Sequence, residues 1–231
     1  STLMRSSAAS DVYKRQREDY ANGLDHINRS LYRNWLNHKG RQLKVSFLRK
    51  TGELAKAEAL INESLAMDKF NMGCRFESYL IQTLQGNTEA AAAAKTEMKA
   101  LMRGAVHSYL EYAIDYASAG MYEEAAQLLS FVTEENEVTY PMVYYALGYF
   151  VSQMGKKEEA LSLYKKAETM CPDYCFPNKL EEVMMLNDAM LLNPEGAKAP
   201  YYLGNFHYAS RIYDEAIALS LIHISEPTRP Y

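Results

Sequence analysis

Apolar and polar positions along this chain repeat on a fixed period. Small residues recur at Gly23, Ala57, Ala91 and Ala125, each thirty-four residues after the last, and Ala160 follows one residue late. The surrounding text is alike at each rung, with "ELAKAEALI" at 53–61, "MYEEAAQLL" at 121–129, "KKEEALSLY" at 156–164 and "IYDEAIAL" at 212–219. Each stretch reads as a turn followed by a helix whose apolar residues fall three and four apart, which gives one buried stripe and a polar remainder. A unit of this length cannot cover its own apolar stripe, so the period predicts helix pairs that stack on one another.

The same logic can be followed unit by unit. From 141 to 172, Tyr144, Leu147 and Gly148 fall in a first helix, Gly155 in a turn, Ala160, Tyr164 and Ala167 in a second helix, and Pro172 ends the unit. From 107 to 137, Tyr109, Tyr112, Ala113 and Tyr116 precede Gly120, and Tyr122, Ala125 and Leu129 follow it. The unit at 39–69 keeps Leu48, Gly52, Leu54, Ala57, Ile61 and Leu65, with Lys69 at the closing position, while 73–103 keeps Gly86 and the alanines 90–94 but few aromatic fillers. Residues 17–35 read as the second helix of a pair, with Tyr20, Gly23, Ile27 and Leu31 on one face. Ala199-Pro200 opens a further first helix carrying Tyr201, Leu203, Gly204 and Tyr208, and its partner begins near Tyr213.

The ladder breaks once, between Ala160 and Ala216. Within the gap, Asn178 followed by Glu181 has the spacing of an N-terminal capping box. Leu180, Val183, Met184, Asn187 and Leu191 form a helical stripe, and Asn193-Pro194-Glu195-Gly196 is a stop signal. Residues 178–193 therefore read as an inserted helix, with an irregular linker as the alternative.

These signatures resemble the tetratricopeptide repeat, whose unit is two antiparallel helices with small residues where they cross closely. The resemblance implies an all-α fold, a right-handed superhelical solenoid of antiparallel pairs interrupted by one extra helix near 178–193. It also implies a protein-binding scaffold with no catalytic residues and no cofactor. The stretch from Asp173 to Leu219 is similar to the C-terminal part of a larger bacterial family in which an uncharacterised β-rich domain, resembling the sugar-binding sandwich of mutarotase-like proteins, precedes such repeats. That likeness implies a second role, as an accessory or oligomerisation arm of a carbohydrate-associated protein, and it assigns no functional residue to this chain.

The two ends stand apart from the repeat. "SSAASDVYKRQ" at 6–16 and "SLIHISEPTR" at 220–229 resemble translated sequencing-library adapters, so residues 1–16 and 220–231 are expected to be foreign to an array spanning 17–219. On that reading the array is a fragment of a longer protein, with partial first and last repeats. The head carries Arg5, Lys14 and Arg15 against Asp11, and in the tail Arg229 balances Glu226. Setting both aside moves the net charge from −4 to −6. Mild acidity argues against a nucleic-acid partner. No run of apolar residues is long enough to span a membrane. Cys74, Cys171 and Cys175 are too few and too unevenly spaced for a disulfide framework or a structural zinc site. They are compatible with a reducing compartment such as the cytoplasm, and Cys171 and Cys175 read as small apolar residues at a turn around Pro172.

Arrays of this kind hold ligands in a groove lined by their first helices. The inward positions are His107, Leu110 and Ile114 in one unit, Tyr145, Tyr149 and Gln153 in the next, and Tyr201, Asn205 and Tyr208 in the last. That aromatic, weakly polar lining suits a protein or peptide partner, or the upstream domain of the same chain. Alternatively, these tyrosines pack between repeats or against the inserted helix. The basic and asparagine pairs that clamp a peptide carboxylate in some tetratricopeptide proteins are replaced here by Gln42 with Ser46 and Tyr145 with Tyr149. His26, His38, His107 and His207 form no metal-binding pair, and there is no phosphate loop or nucleophile motif. The acidic doublets Glu123-Glu124, Glu158-Glu159 and Glu181-Glu182 are expected in first turns of helices, where carboxylates complement the macrodipole.

Overall fold

The computed structural model describes residues 20–134 and 138–221. Among them the fold is all-α, with twelve helices. The chain divides into two compact units between Arg103 and Gly104.

The first unit holds α1 (residues 20–33), α2 (His38–Lys50), α3 (Leu54–Met67), α4 (Met72–Leu84) and α5 (Thr88–Met102). Helices α2 and α3 form one antiparallel pair, α4 and α5 the next, and α3 packs on α4. Its core takes Val45 and Leu48 from α2, Ala57, Leu60 and Ile61 from α3, and Cys74 and Ile81 from α4. Gly23 on α1 lies flat against Phe47, so close that a Cβ there would sit 2.6 Å from the ring. Asn37 and Asn71 cap α2 and α4, each side chain accepting a bond from the amide three residues on.

The second unit holds α6 (Val106–Ser118), α7 (Tyr122–Thr133), α8 (Met142–Gln153), α9 (Lys157–Thr169), α10 (Leu180–Leu192), α11 (Lys198–Ala209) and α12 (Tyr213–Leu221). Helices α6 with α7, α8 with α9, and α11 with α12 are the pairs, and α7 packs on α8. The acidic doublets lie in the first turns of α7, α9 and α10. Helix α12 continues two residues past Leu219, to Leu221. Otherwise the adapter-like stretches at 1–16 and 220–231 lie outside the described residues, as do residues 17–19 and 135–137 of the predicted units.

Two features explain why the thirty-four-residue ladder is visible. First, its rungs Ala57, Ala91, Ala125, Ala160 and Ala216 are buried, each on the second helix of a pair. Second, each pair is joined by one turn, made at Gly52, Gly86, Gly120 and Gly155 with φ of 76–84°. There the glycine amide bonds back three residues and the next amide bonds back five, as in Gly52 N to Arg49 O at 3.0 Å and Glu53 N to Leu48 O at 2.8 Å. The fifth pair makes the same turn with a different residue: Arg211 takes φ 63°, its amide bonds Tyr208 O at 3.0 Å, and Ile212 N bonds His207 O at 2.8 Å. Hydrogen bonding holds this turn in a left-handed conformation without the residue that adopts it freely.

The gap in the ladder contains a helix, shorter by two residues at the start than the pattern suggested. Its N-terminal carboxylate is Glu182 and not Glu181. Glu182 Oε2 accepts from the amides of Asn178 at 2.7 Å and Lys179 at 3.0 Å, whereas Glu181 is exposed. Helix α10 packs on α8 and α11 and less extensively on α9, burying Met185, Leu186 and Ala189. Cys175, in the loop before it, is buried as expected of a small apolar residue, but Cys171 is exposed.

Candidate binding site

Eight of the nine first-helix positions separate into three settings within the second unit, and Gln153 belongs to none of them. Tyr145 lies in the core. Its hydroxyl donates to Glu168 Oε1 at 2.8 Å, and its ring stacks on Tyr164 and meets Tyr202 edge-on at 5.9 Å. Burial and the Glu168 carboxylate push its phenol well above the ordinary range, which keeps it a hydrogen-bond donor. Glu168 was not singled out by sequence, yet it carries much of the local order. Besides Tyr145 it accepts from the amides of Ala197 at 3.1 Å and Lys198 at 3.0 Å, placing a negative charge on the N-terminus of α11. A side chain of α9 thus fixes α11 directly across the insertion.

His107, Leu110, Ile114 and Tyr149 form the second setting, a floor made by α6 and α8 beneath α10 and its leading loop. Ile114 and Tyr149 share a crevice of about 200 Å³ with Met184 and Met185 of α10. His107 and Leu110 line another of about 320 Å³ with Tyr174, Phe176 and Lys179, and the His107 ring meets Tyr140 at 4.5 Å. Polar ties hold the insertion down: Tyr164 donates to Asp188 Oδ2 at 2.6 Å, and Lys179 pairs with Glu111. Cys175 packs by Tyr140 and Tyr202, its thiol pushed up to about 11 by burial. The insertion and its leading loop therefore adjoin four of the nine positions. Gln153 is exposed and lines neither crevice.

The third setting is open. Tyr201, Asn205 and Tyr208 of α11 line a cavity of about 680 Å³ whose other wall is Tyr213, Ala216 and Ile217 of α12. Tyr201 is 52 % exposed and Tyr208 68 %. The Tyr208 and Tyr213 rings meet edge-on at 5.6 Å across the cavity mouth. Gly204 forms part of the floor, and no atom lies closer than 3.7 Å to where its Cβ would be. This is an apolar cleft with an amide at its base, suited to a hydrophobic segment that also offers backbone hydrogen bonds.

The first unit has a different character on its first helices. Glu77 of α4 is fully buried, accepting from Ser46 Oγ at 2.7 Å and from Arg49 Nε at 2.7 Å across to α2. Arg41 is likewise buried, donating to Ser64 Oγ at 2.8 Å, pairing with Glu63 at 3.2 Å and lying 4.3 Å from the Trp35 ring centre. Sequence patterning assigns charged residues to the solvated face, so these were missed. Nothing in the periodicity of either helix marks them, because their partners lie on other helices.

Among the described residues no group of His, Cys, Asp or Glu could hold a metal ion, and no helix is long and apolar enough to cross a membrane. His26 and His38 are exposed and stand apart from His107 and His207 in the sequence.

No family model matches the chain, and no curated protein matches it. Among solved structures, it is similar to a thermophilic tetratricopeptide-repeat (TPR) protein of Thermus thermophilus at 20 % identity, over 74 % of this chain and 91 % of that one, with a TM-score of 0.39. A tetratricopeptide repeat protein of Parabacteroides merdae ATCC 43184 is similar at 15 % identity, over 90 % of this chain and 98 % of that one, with a TM-score of 0.34. The C-terminal part of a TPR repeat-containing protein of Cytophaga hutchinsonii matches 96 % of each chain at 13 % identity and a TM-score of 0.34.

Proposed function

We propose that this chain is a non-catalytic protein-interaction scaffold of the tetratricopeptide type, and that it takes an apolar peptide or helix in the α11–α12 cleft through Tyr201, Asn205 and Tyr208. The observation that carries this reading is the pairing of exposed aromatic walls with an open floor at Gly204. Tyrosines offer large contact area at low entropic cost, and the amide of Asn205 can satisfy the backbone of a bound segment.

The test selects peptides from a displayed library on the full chain and measures their affinity by calorimetry. Replacing Tyr201 and Tyr208 together with alanine should weaken a selected peptide by about thirtyfold or more, as loss of two aromatic anchors does. Gln153→Ala should leave affinity unchanged. Unchanged peptide binding in the double variant, accompanied by a shift in oligomeric state on light scattering, would favour the oligomerisation arm instead. Turnover of a glycoside by the chain alone would defeat both readings.

A further inference from the structure

The α11–α12 cleft repeats a seat that other pairs of this chain have filled. Helix α4 packs on both helices of the α2–α3 pair, and α8 packs on both helices of the α6–α7 pair. Among the described residues no helix follows α12. We infer that the cleft receives a helix of the α8 type from a partner polypeptide: an uncharged helix of about three turns with two adjacent aromatic residues, which extends the stack across the contact. The inference rests on the proposed use of that cleft and specifies its occupant.

The register is set by the residue three places before each ladder alanine. Leu54, before Ala57, packs against a core to which α4 contributes Cys74 and Ile81. Tyr122, before Ala125, meets Tyr149 and Phe150 of α8 at 6.2 Å and 6.4 Å between ring centres. Before Ala160 the residue is Lys157, which is exposed, and the helix packed on that pair is the insertion α10, which carries no aromatic residue. Before Ala216 it is Tyr213, 51 % exposed. The same aromatic residue thus stands in α7, which receives an aromatic first helix, and in α12.

Charge and size agree with that occupant. No charged residue lines the cleft, and α8 has none along its length. Helix α11 has twelve residues, about 18 Å at 1.5 Å per residue. That length suits one helix laid in a groove, whereas a stable contact between two folded surfaces takes about 800 Å² from each.

The probe is a fluorescein-labelled peptide of residues 141–153 with lysines added at both ends for solubility. It is titrated onto the full chain and followed by anisotropy. It should bind saturably, and Tyr213→Ala should weaken it about tenfold. Because Tyr213 is half exposed, the variant should keep the circular dichroism of the wild type. Tyr149→Ala in the peptide should weaken binding to the wild type but add little on the Tyr213→Ala chain. The expected coupling is about threefold to tenfold, as for one edge-on aromatic pair. A peptide of residues 180–192, the sequence of the insertion, should not bind.

If the 141–153 peptide fails while a library-selected peptide binds through Tyr201 and Tyr208, the inference falls and the proposed function stands. If neither binds, both fall. Additive effects of Tyr213→Ala and Tyr149→Ala would mean an apolar surface without register, and would also overturn the inference. So would a dimer of the chain that forms through Tyr213 and persists at saturating peptide, because a second copy would then be the occupant.

Discussion

Gly148 and Gly204 occupy the same place in the sequence signature, after Leu147 and Leu203 on the first helix of a pair, yet the structure gives them opposite expected responses to alanine. In a helix interior, glycine to alanine gains about 1 kcal/mol from the smaller loss of backbone freedom. At Gly204 the new Cβ meets nothing nearer than Ala216 O and Leu219 Cβ, both 3.7 Å away, so Gly204→Ala should stabilise the protein by about 0.5–1 kcal/mol. At Gly148 the Cβ would lie 2.3 Å from Tyr164 Cε1, 2.7 Å from Cδ1 and 2.9 Å from Cζ. That ring is fully buried, stacked on Tyr145 and anchored through its hydroxyl to Asp188, so it has no free direction to swing. Overpacking costs about 1–3 kcal/mol, and disrupting the bond to a carboxylate costs about 1.5–3 kcal/mol. After the propensity gain, Gly148→Ala should destabilise by about 2–4 kcal/mol, a drop in Tm of roughly 2–4 °C per kcal/mol for a chain of this size. Urea and thermal unfolding of both variants, followed by circular dichroism, measure the difference. If Gly148→Ala unfolds at or above the wild-type midpoint, or if both variants shift together, close helix approach is not what places glycine at this position.

Other expected outcomes test different parts of the fold. Arg211→Gly should stabilise by about 0.5–1 kcal/mol in the same unfolding assays, because it relieves a left-handed φ of 63° at the one inter-helix turn of this type that lacks glycine among the described pairs. Glu77→Ala should cost about 3–5 kcal/mol by removing the buried carboxylate that accepts from Arg49 Nε and Ser46 Oγ, and urea midpoints will show it. At pH 8, iodoacetamide followed by mass spectrometry should modify Cys171 well before Cys74 and Cys175, whose thiols burial pushes up to about 11. The same shifts set an alkaline limit. Below pH 9 these thiols are protonated folded or unfolded, but between pH 9 and 11 the unfolded chain loses its protons first, so stability should fall across that window. The raised phenols of Tyr145 and Tyr164 should extend the fall above pH 10, as melting temperatures measured against pH will show.

Period and turn were legible because both rest on the absence of a side chain. A crossing that admits only a methyl group, or a turn that needs positive φ, restricts the sequence strongly, and the restriction recurs at every unit. Arg211 shows the limit of that signal, since five-to-two and six-to-one hydrogen bonds hold its turn without glycine. The start of α10 was misplaced by a related ambiguity. Asn178 with Glu181 and Lys179 with Glu182 have the same spacing, and burial of Glu182 against its own chain decides between them. The buried Arg41, Arg49 and Glu77 were illegible because their burial depends on partners twenty or more residues away, which periodicity within one helix does not report.

The candidate site was legible only as positions, and its fate depends on what the chain lays over each one. Tyr145 and Tyr201 are equivalent in the signature, but Tyr145 is enclosed by Tyr164, Tyr202 and Glu168, while Tyr201 stands half exposed beside a cleft. What encloses Tyr145 is its own pair partner α9, through Tyr164 and Glu168, together with Tyr202 of α11. Equivalent positions of successive pairs therefore meet different neighbours, Tyr145 a closed core and Tyr201 an open cleft.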